Sequence, residues 1–438
     1  MTQYCEALLQ RIRDRHAVVG ILGLGYVGLP LVQRFAESGF RVVGLDIDPA
    51  KPEALLAGRS YIEHIPAAPL TEFIRQGLFL PTTDFSHAAE TDVLLLCVPT
   101  PLNRNREPDL GYVIGSMNDI LPHLHPGQAV ILESTTYPGT TREVLRPLLE
   151  QRGFRIGEDC FLIYSPERED PGNPSFSTRT IPKVVGGETP ECLRVGQSLY
   201  AAVIDQVVPV SSTATAEMVK ILENTYRAVN IALVNELKVV ADRMGLDIFE
   251  VIQAAATKPF GFKPFYPGPG LGGHCIPIDP FYLTWKAREY EVNTRFIELA
   301  GEINTSMPDY VIAKVGEALN DRAQPVKGSR ILLLGFAYKK NVDDTRESPS
   351  RVILTRLLHL GAHVDYSDPH VPTLPPMRNF SFNRESVSLT AETLRTYDCV
   401  VVATDHSAFD WELIRQHATL IVDARGVFPA DRVTVWRA

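Results

Sequence analysis

The segment Gly23-Leu24-Gly25-Tyr26-Val27-Gly28 constrains this chain more than any other. It follows the apolar run Ala17–Leu22, which reads as a strand, and it opens a helical pattern over Leu29–Glu37. Arg41–Asp46 reads as the next strand and ends in an acid eighteen positions beyond Gly28. Glycines spaced G-x-G-x-x-G between a strand and a helix, with such an acid to follow, describe a dinucleotide-binding turn. Gly23 permits the tight turn, and Gly25 lets the backbone approach a pyrophosphate at the positive helix N-terminus. Gly28 allows close helix–strand packing, while Tyr26 and Val27 complete the cofactor loop. Asp46 suits ribose hydroxyls and repels a 2′-phosphate, so NAD is expected rather than NADP. The bare pattern would also fit an ordinary glycine turn; the strand and helix around it carry the argument.

The alternation continues along the chain. Asp92–Val98 and Ala129–Glu133 are further short apolar runs, separated by helix-length stretches, which predicts a doubly wound parallel sheet. From near Thr215 to about Met244, Met218, Ile221, Leu222, Val229 and Leu233 recur at helical spacing, with Gly245 as the stop. Pro259–Pro280 is too rich in glycine and proline for a regular element, and loops of that length are usually functional or disordered. A second α/β pattern opens at Lys327, with strands at Arg330–Leu334, Ala362–Ser367, Asp398–Ala403 and Thr419–Asp423 and a helix at Pro349–Leu360. The expected architecture is α/β: two Rossmann-like doubly wound domains joined by a long central helix. Its domains are expected over 1–214, 215–322 and 323–438, and no short repeat is visible.

Composition narrows the partners. The net charge of −9 over 438 residues argues against a nucleic-acid binder. It leaves room for a phosphorylated ligand, since a few cations and a helix N-terminus suffice. Apolar runs such as Val93–Val98 are strand-sized, well short of the about 18 residues that span a bilayer. From the polar Met1–Arg15 no secretory signal is expected. The six cysteines (Cys5, Cys97, Cys160, Cys192, Cys275, Cys399) are scattered without a C-x-x-C pair. Neither a metal site nor a disulfide framework is expected, and a cytoplasmic location follows.

The chemistry concentrates in Gly268-Pro269-Gly270-Leu271-Gly272-Gly273-His274-Cys275-Ile276-Pro277-Ile278-Asp279-Pro280. Its glycines admit a ligand close to the backbone. Cys97 and Cys399 sit in apolar strands, but Cys275 stands in this polar loop. A thiol there can attack an aldehyde, and the adduct can lose hydride to give a thioester that water hydrolyses. Asp279 could act on a proton or a water, and His274 is a candidate base for the thiol.

With these residues in view, the chain resembles the sugar-nucleotide 6-dehydrogenases, the family of UDP-glucose and GDP-mannose dehydrogenases. The resemblance runs from Val18 to about Phe428 through Gly23–Gly28, Val98-Pro99-Thr100, Ser134-Thr135, Ser165-Pro166-Glu167, Lys220 with Asn224, Gly272–Asp279 and Gly335–Pro349. It implies a two-step, four-electron oxidation at C6 of a UDP-sugar with NAD, and a homodimer or higher homo-oligomer built on the central helix. It implies Cys275 as nucleophile, Lys220 and Asn224 at the oxyanion, Asp279 at the water and Glu167 in acid–base work. Thr135 would hold a water or the nicotinamide region. Pro99, Thr100, Ser134, Thr135 and Arg346 join the cofactor residues. Glu167, Arg168, Lys220, Asn224, Lys258, Lys263, Tyr266, Gly272 and Lys339 form the substrate set. Independently, Lys220 and Asn224 lie four residues apart, on one helix face. The aromatic group Phe260, Phe262, Phe265, Tyr266 would line the sugar pocket or belong to the core.

Two departures narrow the substrate. UDP-glucose dehydrogenases usually read Cys-x-Pro-Lys-Asp, where this chain has Ile278. They also carry a second Glu four residues after the first, where Pro171 stands; Glu169 and Asp170 are the nearby acids. Both readings resemble the subgroup acting on UDP-N-acetylhexosamines, with UDP-N-acetylglucosamine favoured over the galacto and manno epimers and UDP-glucose. The competing readings are a one-step β-hydroxyacid dehydrogenase, which needs neither Cys275 nor a second α/β domain, and a non-catalytic NAD-responsive protein.

Overall fold

The computed structural model describes residues 2–62, 65–103, 105–168, 176–273, 276–374, 382 and 384–438. Two compact units emerge: residues 1–223 with 281–292, and residues 224–280 with 293–438.

In the first unit the apolar runs become strands β1 (Val18–Leu22), β2 (Arg41–Leu45), β3 (Phe79–Thr82), β4 (Val93–Leu96), β5 (Gln128–Leu132), β6 (Cys160–Tyr164), β7 (Lys183–Gly187) and β8 (Val207–Val210). They form one sheet in the order β3-β2-β1-β4-β5-β6-β7-β8. Alternate side chains divide between its faces. Val19, Ile21, Val93, Leu95 and Ile131 enter one buried cluster, and Leu94, Leu96, Val130 and Leu132 enter the other. Because both faces are covered, the strands are apolar throughout. Each buried valine or leucine contributes ~1.5–3 kcal/mol. The expected purely parallel sheet is mixed at one edge, where β7 pairs antiparallel to β6 and β8 parallel to β7. No helix intervenes between β6 and β7 among the described residues, so the chain re-enters the sheet in the opposite sense.

The second unit holds β9 (Arg330–Leu334), β10 (His363–Ser367), β11 (Cys399–Val402), β12 (Ile421–Asp423) and β13 (Val435–Arg437). These form a wholly parallel sheet in the order β10-β9-β11-β12-β13. Helix Pro349–His359 starts at Ser348, whose side chain accepts from the Ser350 N–H.

The long helix spans Thr213–Met244, 32 residues, with its first turns in the first unit and the rest in the second. Gly245 ends it at φ +73°, the left-handed stop that glycine supplies without strain.

The same turn is built twice. Gly23 follows β1 at φ +92° and Gly335 follows β9 at φ +82°. Their N–H groups donate to Leu45 and Ser367 carbonyls, each at 2.8 Å. The acid after the next strand reaches back in both: Asp46 Oδ2 accepts from Leu24 N–H at 2.8 Å, and Asp368 Oδ2 from Phe336 N–H at 2.6 Å. No repeat in the letters announces this repeat in shape.

Candidate active site

In the first sheet the order reverses between β1 and β4, and ligands of open α/β sheets bind at the carboxyl ends of strands beside such a switch point. Loops Gly23–Gly28, Val98–Thr100 and Ser134–Thr135 leave the sheet there, after β1, β4 and β5. A Cβ on Gly23 would lie 2.5 Å from the Cys97 carbonyl oxygen, and one on Gly28 1.9 Å from that of Gly23. One on Gly25 would meet nothing within 4 Å. The turn is therefore packed from below and open above at Gly25, the cradle a pyrophosphate requires at a helix start. Tyr26 and Val27 are half-buried in the same loop.

The other two loops are tied together. Ser134 Oγ accepts from Val98 N–H at 3.0 Å and donates to the Val98 carbonyl at 2.7 Å. Thr100 donates to the Thr135 carbonyl at 2.8 Å, and Tyr282 to the Thr100 carbonyl at 2.6 Å. Pro99 is fixed between these anchors. Asp46 is buried and paired with Lys51 at 2.8 Å. The Lys51 side chain is 31% exposed.

A network that sequence reading missed lies beneath the Ser165-Pro166-Glu167 loop. Buried Lys183 pairs with Glu133 at 2.6 Å and donates to the Pro166 carbonyl at 3.1 Å; Tyr200 also donates to Glu133. Burial pushes the Glu133 carboxyl up despite Lys183. Burial works against the Lys183 ammonium, but Glu133 and Glu167 outweigh it and hold it above the usual lysine range. Burial, with Glu133 adding to it, raises the Cys97 thiol far out of reach of reaction. The signals were a lysine opening the apolar Lys183–Gly187 strand and an acid directly before Ser134-Thr135.

The first turns of the long helix grip the same region. Lys220 donates to the Glu167 carbonyl. Arg168 is bound to Glu223 at 2.6 Å and to the Pro182 carbonyl at 2.7 Å. Glu217, also missed, accepts from Gly139 and Thr141 N–H at 2.5 and 2.9 Å and from the Thr141 hydroxyl at 2.7 Å. Burial pushes its carboxyl up to about 7. Lys220 and Asn224 are both buried, not a solvated helix face.

In the second unit, Asn224 Nδ2 donates to Asp279 Oδ2 at 2.5 Å, and Arg227 donates to Asn224 Oδ1. The far end of the glycine loop is held by the same helix. Asn235 Oδ1 accepts from Gly268 N–H at 3.0 Å, and Lys238 donates to the Gly268 carbonyl at 3.2 Å. Burial, with Arg425 adding to it, brings Lys238 down to about 7. Between these anchors Gly273 N–H donates to the Arg346 carbonyl at 3.0 Å. A Cβ on Gly272 or Gly273 would lie 2.5 or 2.9 Å from Tyr338. The Arg346 guanidinium forks onto Asp344, with contacts from 2.6 to 3.0 Å. Lys339 sits in the same Gly335–Pro349 stretch and is half-buried. The aromatic group divides: Phe265 packs on the Val234–Ile252 cluster, while Phe260, Phe262 and Tyr266 are exposed. Lys258 stacks over Phe260 at 5.2 Å, and Lys263 is exposed. Cys275 and His274 lie outside the described residues, as do Glu169, Asp170 and Pro171. Among the described residues no group of acids, histidines and cysteines could hold a metal, and no helix is long and apolar enough to cross a membrane.

The first unit carries an open glycine cradle at the switch point of its sheet, and the second unit carries a related parallel sheet of its own, the two folds of a protein that handles nucleotides. Three sequence models match: the NAD binding domain of the UDP-glucose/GDP-mannose dehydrogenase family over 17–204, its central domain over 214–306 and its UDP binding domain over 332–430. The chain belongs to the UDP-glucose/GDP-mannose dehydrogenase family and is an NAD-dependent nucleotide-sugar dehydrogenase. It is 36% identical over 393 residues to the UDP-N-acetyl-D-glucosamine 6-dehydrogenase of Pseudomonas aeruginosa, covering 89% of this chain and 91% of that protein. It is 33% identical over 430 residues to an NDP-N-acetyl-D-galactosaminuronic acid dehydrogenase of Ralstonia solanacearum, covering 95% and 97%. A solved UDP-D-ManNAc dehydrogenase from Pyrococcus horikoshii superposes with a TM-score of 0.86 at 31% identity, covering 96% and 98%.

Proposed function

We propose that this enzyme oxidises C6 of a UDP-N-acetylhexosamine to the carboxylate, with UDP-N-acetylglucosamine as the favoured substrate. Relatives named for the gluco, manno and galacto compounds each align over nearly the whole chain, which supports the class. Ile278 and Pro171 support it against UDP-glucose. The observation that carries the mechanism is the buried Asn224–Asp279 bond at the end of the glycine loop.

The Gly23–Gly28 turn would hold NAD, which would supply the hydride acceptor for each of the two oxidations. In the first, one of Lys220, Asp279 and Glu167 takes the C6 hydroxyl proton. The Cys275 thiolate then attacks the aldehyde carbon, and the tetrahedral oxygen takes its charge toward Lys220 and Asn224, donors of the kind that stabilise such an oxyanion. Loss of hydride from that adduct leaves a thioester. Water, oriented by Asp279 and Glu167, attacks it and releases the acid and the thiol. Thr135 holds a water or the nicotinamide region. Arg346 serves the cofactor, and Arg168, Lys258, Lys263, Tyr266, Gly272 and Lys339 serve the substrate. A thiol nucleophile suits the reducing cytoplasm.

Purified enzyme offered UDP-GlcNAc, UDP-GalNAc, UDP-ManNAc and UDP-glucose tests the reading. About two NADH per acid, with UDP-GlcNAc highest in kcat/KM, is expected. One NADH per turnover overturns the thioester route, and a UDP-glucose preference overturns the substrate class.

A further inference from the structure

We propose that Arg227 is a positioning residue that fixes which way the Asn224 amide points. An asparagine amide has an oxygen that only accepts and a nitrogen that only donates, and the two ends are alike in shape. Its direction is therefore set by its neighbours. Here the neighbours are of opposite kinds. The Arg227 guanidinium, which can only donate, sits on Oδ1; the Asp279 carboxylate, an acceptor when ionised, sits on Nδ2 at 2.5 Å. Turning the amide over would set donor against donor and acceptor against acceptor, so both bonds would be lost together. Asn224 is 0% exposed and Asp279 2% exposed, so their bond is shut off from water, while the half-buried Arg227 closes over the Oδ1 side.

Arg227 stands three residues beyond Asn224 on the long helix, within side-chain reach along the same face. Without it, only Asp279 restrains the amide, and Oδ1 is left buried without its donor. With it, one amide hydrogen is committed to Asp279 and the other is held in a fixed direction for the reacting oxygen. Arg227 thus acts on the chemistry through Asn224. This inference rests on the proposed role of Asn224.

The test is a double-mutant cycle in the full-length enzyme with NAD and UDP-GlcNAc. Arg227→Met should lower kcat about tenfold to a hundredfold, with KM for the sugar nucleotide within about twofold. Arg227→Lys, which keeps a donor without the planar fork, should lose about two- to fivefold. In an Asn224→Ala background neither substitution should lower kcat further. An undiminished kcat, or losses of equal size with and without Asn224, overturns the assignment. If Asn224→Ala itself leaves kcat intact, the role proposed for Asn224 fails instead, and the two failures are distinct. Should the methionine protein not fold, the lysine variant carries the same cycle: a loss that requires Asn224 supports the assignment, and any other result overturns it.

Discussion

Asp46 holds the Leu24 amide and the Lys51 ammonium, and in the proposed role it exchanges that lysine for a ribose. Asp46→Ala should therefore weaken NAD at least about tenfold, roughly 1.4 kcal/mol, while UDP-sugar affinity stays put. Calorimetric titration of each ligand checks this, and equal weakening of both would sink the assignment. Glu217 offers a prediction with a sign. Its folded carboxyl titrates near 7, above the unfolded value of about 4.3. The folded state thus binds more protons between those values, so this group's contribution favours low pH and is lost as pH rises toward 7. Denaturant titrations at pH 5 and pH 7.5 should show a decline that Glu217→Gln lacks; identical slopes would refute it. At this scale the sequence was partly legible. Gly23, Gly28 and Asp46 announce themselves by spacing, because backbone closeness demands particular residues at fixed offsets. Glu133, Lys183, Glu217 and Arg227 do not, since burial of a charge is invisible until the chain has folded around it.

The long helix is the element on which the proposed site depends. Toward its start it holds loops of the first unit through Glu217, Lys220 and Glu223, and farther along it holds both ends of the glycine loop through Asn224, Asn235 and Lys238. Its other side carries exposed Tyr226, Leu233, Leu237, Val240 and Met244 at helical spacing. Such a stripe supports the proposed homodimer. Leu233→Asp with Leu237→Asp should turn the assembly monomeric in light scattering, and an unchanged mass would remove this face as the interface. Elements buried on both sides, β1, β4, β5, β9 and β11, could be read from sequence almost to the residue. β8 could not, because it is a partly exposed edge strand carrying Pro209, which only an edge tolerates. Helix Arg295–Asn320 was hidden by Pro308, which interrupts the pattern. That proline has a local use. It leaves the Asn304 carbonyl without its helical donor, and Gly270 crosses there so closely that a Cβ would sit 3.1 Å from that oxygen.

At the scale of the molecule, two sheets begin with one design and then diverge. After Gly23 the helix follows at once; after Gly335 the chain detours through 336–348 before helix Pro349–His359 begins. The acids diverge as well. Asp46 is covered by a lysine that solvent can reach, but Asp368 Oδ2 is taken by the Phe336 and Ala337 amides and by His406 Nε2 at 3.1 Å, both side chains wholly buried. Burial alone would push the Asp368 carboxyl up, yet His406 and the Ala337 and His370 amides hold it down. A carboxylate sealed in this way has nothing left to give an adenosine ribose. The second turn therefore lacks the reachable acid that Asp46 offers at the first.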